Sequence, residues 1–417
     1  MPLPTSKLVS KFLVYLFLAP VMVFAVSGCA SDDATASSGI EAAVDTVGGV
    51  ETLLYPETSA RQLALSLDTV GIIGGALVDD PDYQFDRVSR NGLAGDSAGS
   101  LYVLDGAGKR IQRYDAAGVY LASYAGEGEG PGELQRPSSV NLGPGDTLWV
   151  PDTSNRRTNL IPLDGGAGRS IPMGDASSRL GGRLDVKSTS FVAAIRSFSF
   201  TPDAAEFPPF PLIRFGYDGA GMDTLWTAPA PARDLVTLET GGRSMIMMMS
   251  RQFSPSFYWA ALSDGRFVVA DSPEYLFTLL APDGGVLRRI SREPAARAVT
   301  ETDKQFVLDE IRRQAEENDS DDEMLRQRLE KTTFEPVIPR ITGLHVDEAD
   351  RIWVGVSVDR PERTDRVDVY DSQGLLLGEL RSDPVLPDLF YGGGLAAELI
   401  EDEFDVQQVV IQRLAIE

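Results

Sequence analysis

The chain repeats itself, and that repetition limits its fold more than any other feature. In the clearest copy an apolar run, Leu101-Tyr102-Val103-Leu104, ends in Asp105; after a short loop, Arg110-Ile111-Gln112-Arg113-Tyr114-Asp115 leads on to Gly118-Val119-Tyr120-Leu121. The next copy reads Leu148-Trp149-Val150-Pro151-Asp152, then Arg157-Thr158-Asn159-Leu160-Ile161, then Asp164-Gly165. Further copies centre on Phe191-Val192-Ala193, Phe267-Val268-Val269 and Ile352-Trp353-Val354. Asp and Gly recur between β runs at Asp218-Gly219, Asp264-Gly265, Asp283-Gly284 and Asp371 to Gly374. Tight hairpins call for such residues because glycine tolerates positive φ. The pattern predicts a series of antiparallel meanders.

Spacing selects among β architectures. Trp149 lies 47 residues after Tyr102 and Val192 lies 43 after Trp149, the length of a four-stranded propeller blade and too long for a solenoid rung. The following intervals, 76 residues to Val268 and 85 to Trp353, carry insertions. The first holds Pro202, Pro208, Pro209, Pro211, Pro229 and Pro231 and reads as extended loop. The second, about 302–331, reads as helical: Thr300 precedes Val307, Ile311 and Ala315 at four-residue spacing, and Ser320 with Glu323 forms a capping pattern ahead of Leu325 and Leu329. A sixth unit comes from the two ends, where Leu63 to Ile73 has the β character of Leu395 to Ile400 and Val406 to Ile416. Pairing them closes the ring and removes its exposed edges. The expectation is an all-β, six-bladed propeller over 50–417, with seven blades as the alternative count.

These residues resemble a known family. Leu101 to Asp115 looks like the core of an NHL repeat, and Gly126-Glu127-Gly128-Glu129-Gly130-Pro131-Gly132-Glu133-Leu134 followed by Pro137 is similar to the connection between blades of NHL-like propellers. From about Leu63 onward the chain resembles bacterial six-bladed propeller lipoproteins, many of which have no assigned activity. The second copy departs from the pattern, with Arg156-Arg157-Thr158 in place of the Arg-Ile pair, and the third has lost most of its loop signature, leaving the blade boundaries between Leu180 and Arg251 open.

The first residues carry an address. Lys7 and Lys11 precede a nearly unbroken apolar run from Phe12 to Gly28, the form of a secretory signal. At about 20 apolar residues for a span, and with Pro20 inside it, the run is marginal as a membrane helix. Val26-Ser27-Gly28 stands directly before Cys29, the one cysteine of the chain. This resembles the bacterial lipobox, which implies lipidation of Cys29, cleavage after residue 28 and attachment to the cell envelope. Ala30 and Ser31 in place of aspartate favour the outer over the inner membrane in a Gram-negative cell. Residues 29–49, rich in Ala, Ser and Asp, are expected to be a flexible tether because they bury too little to offset their ordering entropy.

Composition narrows the chemistry. With 38 basic and 62 acidic residues the net charge is -24, so a nucleic-acid backbone is repelled. One cysteine and one histidine, His345, exclude an intramolecular disulfide and any metal centre built from several of these residues. No nucleophile elbow, phosphate loop or dinucleotide fingerprint is present. His345, in a strand just ahead of Ile352-Trp353-Val354, is a candidate for the channel face or for a packed blade interface. Asp105, Asp152 and Asp271 occupy equivalent places after their strands; they converge on the axis or accept backbone N–H groups in their own turns. Six acids between Glu316 and Glu323 invite calcium but lack EF-hand spacing, so no cofactor is expected and calcium alone stays open. Met245-Ile246-Met247-Met248-Met249 reads as core or blade-edge filling near Phe253 and Phe257, with partner binding as the alternative.

The remaining expectation is a monomeric, membrane-anchored binding or scaffolding module for a protein or small-molecule ligand. The lack of a catalytic constellation favours that over an enzyme. The alternative is a metal-dependent hydrolase or lyase with carboxylate ligands at the channel mouth, which the single histidine does not exclude because propeller lactonases hold their metal by Glu, Asn and Asp oxygens; a purely structural part of an envelope complex is a third. Changing Cys29 to Ser is predicted to move the protein from the membrane to the soluble fraction. Unchanged membrane fractionation, with signal-peptide cleavage verified, would refute the lipid assignment.

Overall fold

The computed structural model describes residues 41–57, 61–173, 180–195, 208–240, 243–317, 322–358, 363–381 and 384–416. All of these belong to one compact unit, Gly39–Glu417; Cys29 and the first part of the expected tether lie outside them. Within this unit six antiparallel four-stranded meanders form the blades of a ring. Their second strands are Leu101–Asp105, Thr147–Asp152, Ser190–Ile195, Phe267–Ala270, Ile352–Val356 and Leu395–Glu401, and the six segments singled out by the repeat or by the chain ends fall on them.

Those segments are apolar because each is buried on both faces. Successive side chains of a strand point to opposite sides of its sheet. In the first blade Leu101 and Val103 pack toward the sixth, while Tyr102 and Leu104 pack toward the second. In the second blade Leu148 and Val150 face back to the first and Trp149 faces forward onto Phe191 of the third, ring centroids 5.5 Å apart. Similar clusters fill the seams between blades three and four, four and five, and five and six. Six seams therefore make a closed circle of contacts. Each large side chain buried there contributes on the order of 1.5–3 kcal/mol.

The seam between blades four and five also holds a charged cluster. Arg292, fully buried, reaches Asp368 at 2.5 Å and Glu379 at 2.6 Å, and the Tyr275 hydroxyl donates to Asp368 at 2.8 Å. Arg366, also buried, lies 2.9 Å from Asp368, and removing one of the charged members unbalances the cluster, at a cost of roughly 3–5 kcal/mol.

Closure comes from the N-terminal side. Leu65–Gly74 is the outermost strand of the sixth blade, antiparallel to Gln407–Ile416, with Leu65 opposite Ile416 and Gly74 opposite Gln408. The register shifts between Thr69 and Gly71. Gly71 has a steric reason to be glycine, since a Cβ there would lie 2.5 Å from the carbonyl oxygen of Ala117 in the first blade.

Three expectations need correction. Ala43–Val47 is not tether: it forms a hairpin with Val50–Tyr55, and the latter runs parallel to Val286–Arg292 on the outer edge of the fourth blade. The turn is Gly48-Gly49, both at positive φ (62° and 81°), the requirement of a two-residue hairpin loop. Leu53 and Tyr55 are buried by this addition. The proline-rich first insertion is not all loop, because Phe210–Gly216 and Gly221–Ala228 complete the third blade. Pro211 is tolerated because pairing with the second strand ends at Leu212 opposite Ala194, so no inner ladder bond needs its missing N–H. The methionine run is not core: it lies on Arg243–Ser250, one arm of a hairpin with Arg233–Thr240, and Met245, Ile246 and Met247 are exposed.

Helices α1 (Glu301–Glu317) and α2 (Asp322–Lys331) agree with the expected helical insertion. Thr300 caps α1 reciprocally with Asp303: its N–H and its hydroxyl both donate to that carboxylate, and its Oγ1 accepts from the Asp303 N–H at 3.3 Å. Val307 and Ile311 pack on Phe253 and Ile338, a small core separate from the seams. Gln327 of α2 pins the hairpin by accepting from the Glu239 N–H and donating to the Glu239 carbonyl, each at 2.7 Å. Ser320, half of the second capping pattern, lies outside the described residues.

Candidate functional site

The innermost strands surround the axis, and three of them are interrupted in the same way. Pairing in Val88–Gly95 jumps from Val88 to Leu93, in Leu180–Val186 from Leu180 to Leu184, and in Ile341–Val346 from Ile341 to Gly343. Such bulges release residues from the ladder and re-aim their side chains. Arg90 and Asn91, Gly182 and Arg183, and Thr342 lie within these interruptions, and all of them line a cavity of about 500 Å³.

The cavity has two walls of different chemistry. One is polar: Arg90, Asn91, Arg183, His345 and Asp388. The other is aromatic and apolar, with Phe257, Tyr258 and Trp259 from and just before the first strand of the fourth blade, and Phe210 and Leu386 nearby. The charged lining consists of Arg90, Arg183 and Arg233 against Asp388, an excess of cation inside a chain of net charge -24.

Asp388 organises the polar wall. One carboxylate oxygen lies 3.3 Å from Arg90, whose side chain is 76% exposed, and the other accepts from the Leu399 N–H at 2.9 Å. Its carbonyl accepts from Arg183 at 2.9 Å. Burial raises the Asp388 carboxyl above its usual range, against the Leu399 N–H and the two arginines that favour its charge. Glu398 is also raised, by burial and then by the charge of Asp388.

Arg183 and His345 are half-buried and keep contact with the cavity. Burial lowers the pKa of Arg183, although a guanidinium stays charged under such a shift. Among the described residues Arg183 makes the single hydrogen bond to the Asp388 carbonyl, leaving most of its N–H donors without a protein partner. Burial, with Arg183 and Arg90 close by, pushes His345 down to about 3. The imidazole is therefore neutral at pH 7, with one nitrogen donating and the other accepting. Its ring meets the edge of Phe390 at a centroid distance of 6.5 Å.

The four residues singled out in the sequence separate here. His345 lines the cavity; Asp105, Asp152 and Asp271 are not among its lining residues. Asp105 accepts from the N–H groups of Asp86, Arg87 and Gly108. Asp152 repeats the arrangement with Gln135, Arg136 and Asn155. In both blades the aspartate that ends the second strand clamps the segment entering the first. Asp271 accepts from the Trp226 indole N–H at 2.8 Å. Among the described residues no group of three or more His, Cys, Asp and Glu side chains is placed to hold a metal ion, and the one carboxylate of the cavity faces arginines.

Arg90, Asn91, Arg183 and Asp388 escaped the sequence reading. The signal for the first three was glycine inside short strands, at Asn91-Gly92 and Gly181-Gly182-Arg183, since glycine in a strand marks a bulge.

No family model matches the chain and no curated relative matches its sequence. Solved structures do match in fold. A member of the duf4221 family from Bacteroides vulgatus aligns with a TM-score of 0.50 at 9% identity, covering 86% of this chain and 99% of its own. A protein of Bacteroides fragilis whose name calls it exported aligns at 0.45 and 12% identity, covering 87% and 99%. A protein of unknown function from Bacteroides thetaiotaomicron gives 0.42 and 12%, covering 89% and 80%. At these identities the likeness concerns the fold alone.

The environment of His345 makes a direct prediction. A histidine whose folded pKa is depressed is neutral in the fold but takes up a proton in the unfolded chain, so its contribution to stability is lost as the pH falls from about 6.5 toward the folded value. Asp388, raised by burial, acts in the opposite sense, which makes the ring resonance of the one histidine the cleaner readout. In untagged protein that resonance is predicted to show no titration between pH 8 and pH 5. A midpoint near the ordinary 6.5 would contradict the geometry described.

Proposed function

We propose that this chain is a lipid-anchored protein of the cell envelope whose propeller is a small-molecule binding module, with the axial cavity as its ligand site. The signal-like segment and Cys29 support the address, with the outer membrane favoured if the cell is Gram-negative. The observation that carries the binding reading is the set of bulges. Three inner strands give up ladder pairing to turn Arg90, Asn91, Arg183 and Thr342 toward one space. A channel that served only to close the ring has no use for a half-buried arginine with open donors, since unpaired polar groups cost stability. The volume falls within the range of ordinary ligand pockets.

The full-length protein in lipid nanodiscs, screened by thermal shift against a panel of small metabolites, is expected to be stabilised by at least one class of compound. Thr342→Trp, which fills the cavity, is expected to abolish that shift while leaving the unliganded melting temperature within a few degrees. Stabilisation that is identical in the filled variant, or absent throughout the panel, would overturn the reading.

A further inference from the structure

Resting on the reading of the axial cavity as a ligand site, we infer that its ligand is an amphiphilic monocarboxylate, held by its head on Arg183 and by an apolar or aromatic body against Phe257 and Trp259. The lining charges are unevenly committed. Arg90 and Asp388 face each other at 3.3 Å, and Arg233 already has partners, among them the Met248 sulfur. Arg183 donates to a neutral carbonyl, Asp388 O, so its charge has no carboxylate in salt-bridge contact among the described residues. One uncommitted guanidinium calls for one negative charge. Its planar fork of N–H donors matches a carboxylate in bidentate fashion.

The neighbours of Arg183 suit the same head group. Neutral His345 supplies an N–H donor without adding charge. Asn91 lies across Gly182, where a Cβ would stand 3.5 Å from its side-chain amide, and the absence of a side chain at Gly182 keeps the approach to Arg183 open. The chain as a whole is strongly acidic, and Asp388 stands at the same wall. A dianion therefore meets more repulsion than a monoanion at this wall.

The aromatic part of the lining gives the rest of the ligand its character. Phe257 and Trp259 are partly buried against the seam of blades three and four, yet both line the cavity. They offer π faces where the polar wall offers donors, a division that orients an amphiphile and excludes both small hydrophilic anions and apolar neutral molecules.

Calorimetry with the full-length protein in nanodiscs, with empty nanodiscs as the partition control, tests this with defined probes: indole-3-acetate, 3-phenylpropanoate, 3-phenylpropanamide, phenyl phosphate and acetate. The two aromatic carboxylates are expected to bind at least about tenfold more tightly than the neutral amide, the size of a lost charge-assisted contact, and tighter than phenyl phosphate or acetate. Arg183→Gln is expected to weaken carboxylates about tenfold or more and leave the amide unchanged, and Arg183→Lys to recover part of the loss. The His345 resonance is expected to shift on titration with indole-3-acetate. If amide and carboxylate bind alike, if phenyl phosphate binds as well as its carboxylate counterparts, or if Arg183→Gln binds normally, the carboxylate assignment is wrong while the cavity remains a ligand site, provided Thr342→Trp abolishes binding. If no probe binds and Thr342→Trp changes nothing, both the assignment and the binding reading fall.

Discussion

Six sheets make a ring only if the last meets the first. In this protein that junction depends on Leu65–Gly74, which crosses from the N-terminal side to pair with Gln407–Ile416 and complete the sixth blade. The strand satisfies the backbone of an otherwise open edge and places Ile73 in the seam with the first blade. On its other side Leu63 and Leu65 pack on Trp353 and Val367 of the fifth. Both neighbours of the sixth blade thus depend on the same short segment. Without it the C-terminal strands form an incomplete sheet with an exposed edge and two apolar faces, the condition under which sheets associate with one another.

The cavity follows from closure. Arg90 and Asn91 come from the first blade, Arg183 from the third, Trp259 from the fourth, His345 from the fifth and Asp388 from the approach to the sixth. These residues are distant in sequence and meet only because the ring fixes the angle between successive blades. The bulges that aim them weaken pairing locally, and the seams, buried on both sides of every second strand, supply the rigidity to hold them. Stability and site are in this sense divided between the outer and inner parts of each blade.

That division explains what could be read in the sequence. The second strands were legible because burial on both faces demands unbroken apolar runs such as Leu101-Tyr102-Val103-Leu104, and the closing strand was legible by its β character near the chain ends. The last strands of the third blade were hidden by Pro211, which sits just past the end of the pairing with the second strand. The hairpin of Ala43–Val47 and Val50–Tyr55 was hidden because its first arm is exposed throughout. The methionine run misled for a simple reason: apolar composition suggests burial, yet the hairpin carrying it stands outside the blades and is held by Gln327. The site was mostly illegible. His345 was accessible to inference as the one histidine, but Asp105 and Asp152 are clamps that hold blade entries. Arg90 and Arg183 depend on a loss of register that no periodic pattern announces.

The most direct test of the account is therefore the state of the protein without its closing strand. A chain lacking residues 61–75, with the secretory segment and the tether intact, should lose its soluble monomer and its single cooperative melting transition, because the sixth blade can no longer seal against the fifth and the first. A monomer that still melts in one cooperative transition would contradict closure by Leu65–Gly74, and with it the claim that this strand holds the residues of the axial cavity together.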